Sequence, residues 1–194
     1  MKASKGDIYM GVVGIVVLVI VVVLAVIVIG IYNQLVALRQ NVKQGVADID
    51  AQLRQRHDLV PNLVNTVKGY ASHEQETLDA VISARNKAAT GAIDSNDEAG
   101  LRVALDRLMA LGEAYPDLKA SANFQELQRE LSDVEDKLAA ARRALNAAVS
   151  RYNTGVESFP AVVFAGMLGF THADFHRLDD SEKGVVDQVP NVQF

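Results

Sequence analysis

The residues of this chain with the means to do chemistry are few. Four histidines stand among 24 acidic residues, and two of them sit directly before a carboxylate, as His57-Asp58 and His73-Glu74. A histidine oriented by a carboxylate is the usual base of acid–base catalysis. Adjacent positions on a helix do not face each other, so neither pair is a dyad by itself. His172 and His176 are four residues apart and on a helix would share a face, as metal ligands can. No third and fourth ligand follows at a standard spacing. There is no cysteine, hence no thiol nucleophile and no disulfide framework. Neither a nucleophile elbow, a P-loop nor a dinucleotide fingerprint occurs. The expectation is a protein with no catalytic residue, no cofactor and no metal, and a non-enzymatic role.

The elements that would carry these residues begin with an apolar run. From Ile8 to Leu38 no side chain is charged, and Val12 to Ile31 is apolar apart from Gly14 and Gly30. At about 1.5 Å per residue this run reaches about 30 Å, the hydrocarbon thickness of a bilayer. A cleaved signal has a shorter apolar region, ending at a small-residue site, and none follows Gly30. The run therefore reads as an uncleaved transmembrane helix. Tyr9 and Tyr32 flank it at headgroup level, where aromatic rings concentrate. Lys2 and Lys5 before it balance Arg39 and Lys43 after it, so the positive-inside count leaves the orientation open. Net charge is −5 and no basic stripe is visible, which argues against a nucleic-acid partner.

Beyond the run the apolar spacing is helical. Leu35, Leu38, Val42, Val46, Ile49, Leu53, Val60, Leu63 and Val67 follow the three-to-four rhythm, and Leu101, Leu105, Leu108 and Leu111 repeat it. The clearest stripe is Phe124, Leu127, Leu131, Val134, Leu138, Ala141, Leu145, Ala148 and Tyr152. Pro61 interrupts the first stripe without changing its phase, which predicts a kink rather than an end. Gly69 to Ser72 is the better break, with Ser72 and Gln75 able to cap a new helix. Gly91 to Gly100 reads as a polar loop, Tyr115-Pro116 ends a helix, Ser121 or Asn123 can start the next, and Asn123 with Glu126 resembles a capping box. Helices over 33–68 and 124–159 match in length, as do the shorter pair over 73–89 and 97–114.

The predicted fold is all-α. A transmembrane helix over 8–31 follows a short polar N-terminus, 1–7. An antiparallel up-and-down bundle of four long helices occupies 32–159, or of three if 33–89 is continuous. An apolar segment and an acidic tail make up 160–194. Arg56, Asp58, Asn62, His73, Glu74 and Arg85 fall on or beside the buried stripe. A buried carboxylate is costly unless paired, so these residues are expected to join in an interhelical network that fixes register. A partner-binding patch is the alternative.

Several of these residues also carry a resemblance. Tyr32-Asn33-Gln34-Leu35-Val36 resembles the opening motif of the LemA family. His57 to Val64, then Val67 to Ala71 with His73-Glu74, are similar to its central signature, which includes Asp58, Pro61, Asn62 and Tyr70. Tyr115-Pro116-Asp117-Leu118-Lys119-Ala120 and Asn123-Phe124 resemble a second block. Tyr152-Asn153-Thr154, Phe159-Pro160 and Pro190 to Phe194 resemble a third. His57 stands where the family more often has an aromatic, and Phe175-His176 departs from its usual aromatic pair. The resemblance implies a single-pass bacterial membrane protein with a helical bundle and no defined activity. Some relatives are linked to the formation of internal membranes.

The functional expectation is a membrane-anchored scaffold or adaptor in the cell membrane, the inner one in a Gram-negative cell. Its partners would be membrane lipid, further copies of itself and a membrane protein such as a protease. The apolar segment from Pro160 to Phe170 is too short to span a bilayer. It packs on the bundle, meets another copy, or lies in the membrane interface as part of a membrane-remodelling device. Val163, Phe164, Leu168 and Phe170 are its candidate interface residues.

Overall fold

A computed structural model describes residues 5–90 and 96–175, with side chains from residue 12 onward. Every regular element among them is an α-helix. In chain order these are α1 (Lys5–Lys68), α2 (Gln75–Thr90), α3 (Asn96–Ala114), α4 (Pro116–Lys119), α5 (Ala122–Glu157) and α6 (Ala161–Phe164). The apolar run and the first amphipathic stripe are one uninterrupted helix of 64 residues, which continues through Pro61. Its window of highest hydropathy is long and apolar enough to cross a membrane, and none of it is buried against the rest of the chain.

The described residues divide into two units, 5–43 with 147–174, and 44–90 with 96–146. In the second, the predicted stripes meet. Val60, Leu63 and Val67 of α1, Leu78 and Val81 of α2, and Leu101, Leu105 and Leu108 of α3 close a core with Leu118 and Phe124. Burying such side chains stabilises by about 1.5–3 kcal/mol each before entropy is counted. Small residues set the closest approaches. A Cβ on Gly112 would lie 2.8 Å from the Phe124 ring, and one on Gly45 would lie 3.1 Å from Leu145.

The breaks fall close to the expected places, but by other means. α1 ends at Lys68, as Gly69 suggested, although among described residues only Gly169 has positive φ. The amide of Ala71 closes the end by donating to the Val67 carbonyl at 2.8 Å. α2 starts at Gln75, three residues beyond Ser72, so Ser72 does not cap it. Residues 91–95 of the expected polar loop lie outside the described residues, and 96–100 are already helical. α5 starts at Ala122, which puts Asn123 inside the helix rather than at its cap. Glu126 pairs instead with Arg129, one turn on. The capping box therefore does not form, because a capping residue must stand outside the helix with non-helical backbone.

The first unit is built around Leu35, Tyr152, Val156, Ala161, Ala165 and Phe170. After α5 the chain turns through Ser158 to Pro160, and α6 continues into two further hydrogen-bonded turns. Gly169 ends them at φ 75. The Phe170 amide donates to the Ala165 carbonyl at 3.0 Å, and that of Gly169 to Gly166 at 3.2 Å. This is the paired arrangement of a Schellman cap, with a left-handed glycine and an apolar contact across it between Phe170 and Ala165. The next residues are pinned from α5. Tyr152 donates its hydroxyl to the Thr171 carbonyl at 2.8 Å. The Asn153 amide reads the Ala173 backbone in both directions at 2.9 Å, as a neighbouring strand would.

Candidate functional site

The polar residues of the central signature split between a buried cluster and the surface. Arg56 is 2 % exposed and Glu98, from the first turn of α3, is 5 % exposed. One Glu98 oxygen takes Arg56 Nη2 and the other faces His57 Nε2 at 3.0 Å. Arg56 Nη1 donates to Glu135 of α5 at 2.7 Å. A carboxylate only accepts, so His57 must carry its proton on Nε2. One guanidinium thus ties α1 to α3 and α5, with its Nε left unpartnered in the interior. Planar, multiply donating and always charged, arginine suits such a position, and lysine would not replace it. A small cleft lined by Asp50, Leu53, Arg54, Ala88 and Ala89 reaches His57 and Glu98 from outside.

Pro61 acts in the same place. It has no amide hydrogen, so the carbonyl four residues earlier, that of His57, loses its helical donor. Arg85 of α2 supplies the replacement, with Nε donating to His57 O at 3.3 Å. The signature proline and Arg85 are two halves of one device, in which a gap in the α1 ladder becomes the docking point for α2. At the far end of the core, Tyr115 donates its hydroxyl to Glu74 at 2.9 Å. That bond holds the phenol pKa above its ordinary value, helped by partial desolvation and by the negative charge of Glu74.

Of the six residues expected in a network, Arg56 and Arg85 make interhelical bonds, and Glu74 bonds Tyr115 between two connecting segments. Asp58, Asn62 and His73 do not belong to it, since all three are exposed. Asp58 and Asn62 line an open face of α1 with Asp50, Arg54 and Gln55. The physical reason is angular, because one residue along a helix turns the side chain by about 100°, and burying Arg56 and His57 carries Asp58 outward. Pro61 and Tyr70 are exposed too, while Phe124 is buried and Pro116 opens α4 behind Tyr115.

Glu98 and Glu135 were missed by sequence reasoning. The signal for Glu98 was its place three residues before Leu101 on the α3 stripe, where a lone charge needs a buried partner. In the sequence alone it falls within the polar stretch from Gly91 to Gly100.

In the other unit Tyr32 lies edge-on to Phe170, with ring centroids 5.6 Å apart. The Arg39 guanidinium covers the same Phe170 ring at 4.8 Å. Phe170 is buried, Phe164, Leu168 and Pro160 are half-buried, and Val163 and Phe159 are exposed. His172 Nδ1 lies 3.4 Å from a Glu157 oxygen, and residues 170–175 are not helical, so His172 is not on the helix face expected from its spacing to His176. His176, the Tyr9 side chain and the terminal motif from Pro190 lie outside the described residues. No group of three or more metal-ligating side chains occurs among the described residues.

A sequence profile of the LemA family matches residues 45–194, more than half of the chain. The chain is similar to protein LemA of Metamycoplasma hominis, with 25% identity over 82% of this chain and 74% of that one. It is also similar to magnetosome protein MamQ of Magnetospirillum gryphiswaldense, with 22% identity. Magnetosome protein MamQ 2 of Paramagnetospirillum magneticum is 23% identical. Both MamQ alignments cover 74% of this chain and 64% of the relative, so the chain spans less than two thirds of those proteins.

Proposed function

The chain belongs to the LemA family, and on that premise we propose that it is a non-enzymatic scaffold or adaptor, anchored in the cell membrane by α1 and assembling with further copies of itself. The observation that carries this reading is the closure of the Arg56–Glu98–His57–Glu135 cluster. Its polar groups bond one another across three helices. A buried charge so paired serves register, and removing one partner strands the other. The names LemA and magnetosome protein MamQ state no reaction.

The fold that goes with this role is an antiparallel, up-and-down bundle of four long helices, α1, α2, α3 and α5. Two contacts support the α1–α5 pairing. Gly45 lies beside Leu145, and Arg56, eleven residues later, bonds Glu135, ten residues earlier. Copies could meet through the open face of α1 that carries Asp50, Arg54 and Asp58.

Crosslinking in native membranes and sizing in mild detergent test the proposal. Species of several copies are expected, and a strict monomer in both would remove the self-assembling scaffold.

A further inference from the structure

The segment between α5 and the described end of the chain has two unlike sides. Ala161, Ala165 and Phe170 face the core of their unit. Phe159 is 83 % exposed, Val162 53 %, Val163 57 % and Met167 86 %. Val163 and Met167 are four residues apart within hydrogen-bonded turns, so they share one face, and Phe159 stands exposed just before the N-cap Pro160. No charged residue occurs from Ser158 to Thr171. A soluble surface rarely gathers side chains of this size without a partner.

The place of this face names the partner. Phe170 rests against Tyr32, and Ile31 packs on the same cluster. Ile31 is the last residue of the apolar run and Tyr32 the first beyond it. Gly155 of α5 lies against Leu35 and Leu38. The turns that follow it are thus fastened to α1 where the helix would leave the hydrocarbon. An apolar face there meets the zone in which interfacial helices bury their apolar sides about 5–10 Å deep.

We propose that Phe159, Val162, Val163 and Met167 insert into the headgroup–acyl boundary of the bilayer that α1 crosses, giving the protein a second, non-spanning membrane contact. This rests on the reading of α1 as a span. The aromatic cluster of Tyr32, Phe170 and Arg39 orients the contact, and the Schellman cap at Gly169 together with the Tyr152 and Asn153 bonds holds it in shape. The lipid-facing residues are therefore not Phe164 and Phe170, which hold the segment to its own unit.

The absence of native cysteine makes the test direct. Single substitutions F159C, V163C and M167C, with V21C in the span and D133C on exposed α5, receive an environment-sensitive fluorophore. Each full-length protein is placed at one copy per phosphatidylcholine–phosphatidylglycerol nanodisc with nitroxide-labelled lipid. Loss of fluorescence at 159, 163 and 167, strongest with the shallow nitroxide, is expected, with none at 133 and with deep quenching at 21. Quenching at 21 but not at 159, 163 and 167 overturns the second contact and leaves the span standing. Shielding that appears only with several copies per disc assigns the face to a second copy and likewise overturns it. No quenching at 21 overturns the span and this inference with it.

Discussion

Replacing Arg56 by Met keeps most of the side-chain volume and removes the guanidinium. Glu98, 5 % exposed, is left with His57 alone, while Glu135 is half-exposed and can rehydrate. Breaking a buried ion pair from one side costs about 3–5 kcal/mol. For a domain of this size, each kcal/mol lowers Tm by about 2–4 °C, so the midpoint should fall by about 6–20 °C. Glu98→Leu should cost less, because Arg56 keeps its 2.7 Å bond to Glu135. The double variant Arg56→Met/Glu98→Leu should be more stable than Arg56→Met alone, since it removes the stranded carboxylate and offers apolar packing instead. Far-UV circular dichroism melts of the full-length protein in one detergent give all four values. If the double variant is less stable than Arg56→Met by the full cost of Glu98→Leu, the two groups are independent and the cluster does not work as described.

Other consequences follow from single contacts. Arg85→Met should cost about 1–3 kcal/mol, since it leaves the His57 carbonyl without a donor. In a Pro61→Ala background the helix regains its own amide donor, so that cost should shrink. Equal costs in both backgrounds would refute the pairing of Pro61 with Arg85. Gly112→Ala forces a Cβ to 2.8 Å from the Phe124 ring. The overpacking, about 1–3 kcal/mol, should exceed the helix-propensity gain of about 1 kcal/mol, giving a less stable protein in urea melts. Tyr115, with its pKa raised by Glu74, contributes stability that is present below pH about 10 and fades as pH rises through its folded value. Tyr115→Phe should flatten that alkaline loss, and an unchanged alkaline slope would count against the bond.

Much of the fold was legible because burial here follows helical spacing. Val60, Leu63, Val67, Leu101, Leu105, Leu108 and Phe124 are all core residues in both the stripe and the structure. The break after Lys68 was legible from Gly69, and the passage through Pro61 from the unbroken phase of the stripe. The cluster was legible only in part. Arg56 lies on the stripe, but its partners are 42 and 79 residues away, and pairing at such separation is set by helix register that no local pattern encodes. Asp58 misled for a related reason, since a carboxylate one residue past a buried position looks buried in the sequence and points to solvent on the helix. In the segment from Pro160 to Phe170, composition announced an apolar stretch. Which side chains face inward was decided by the turn at Gly169, invisible without the hydrogen bonds that define it.

The account stands on α1 being one helix whose first half lives in lipid. Alkaline carbonate extraction of cells making the native chain, followed by intact mass measurement of the pellet, tests that directly. The account predicts the full-length polypeptide in the extracted membrane. Intact polypeptide released to the supernatant, or a membrane species beginning after Gly30, would contradict it.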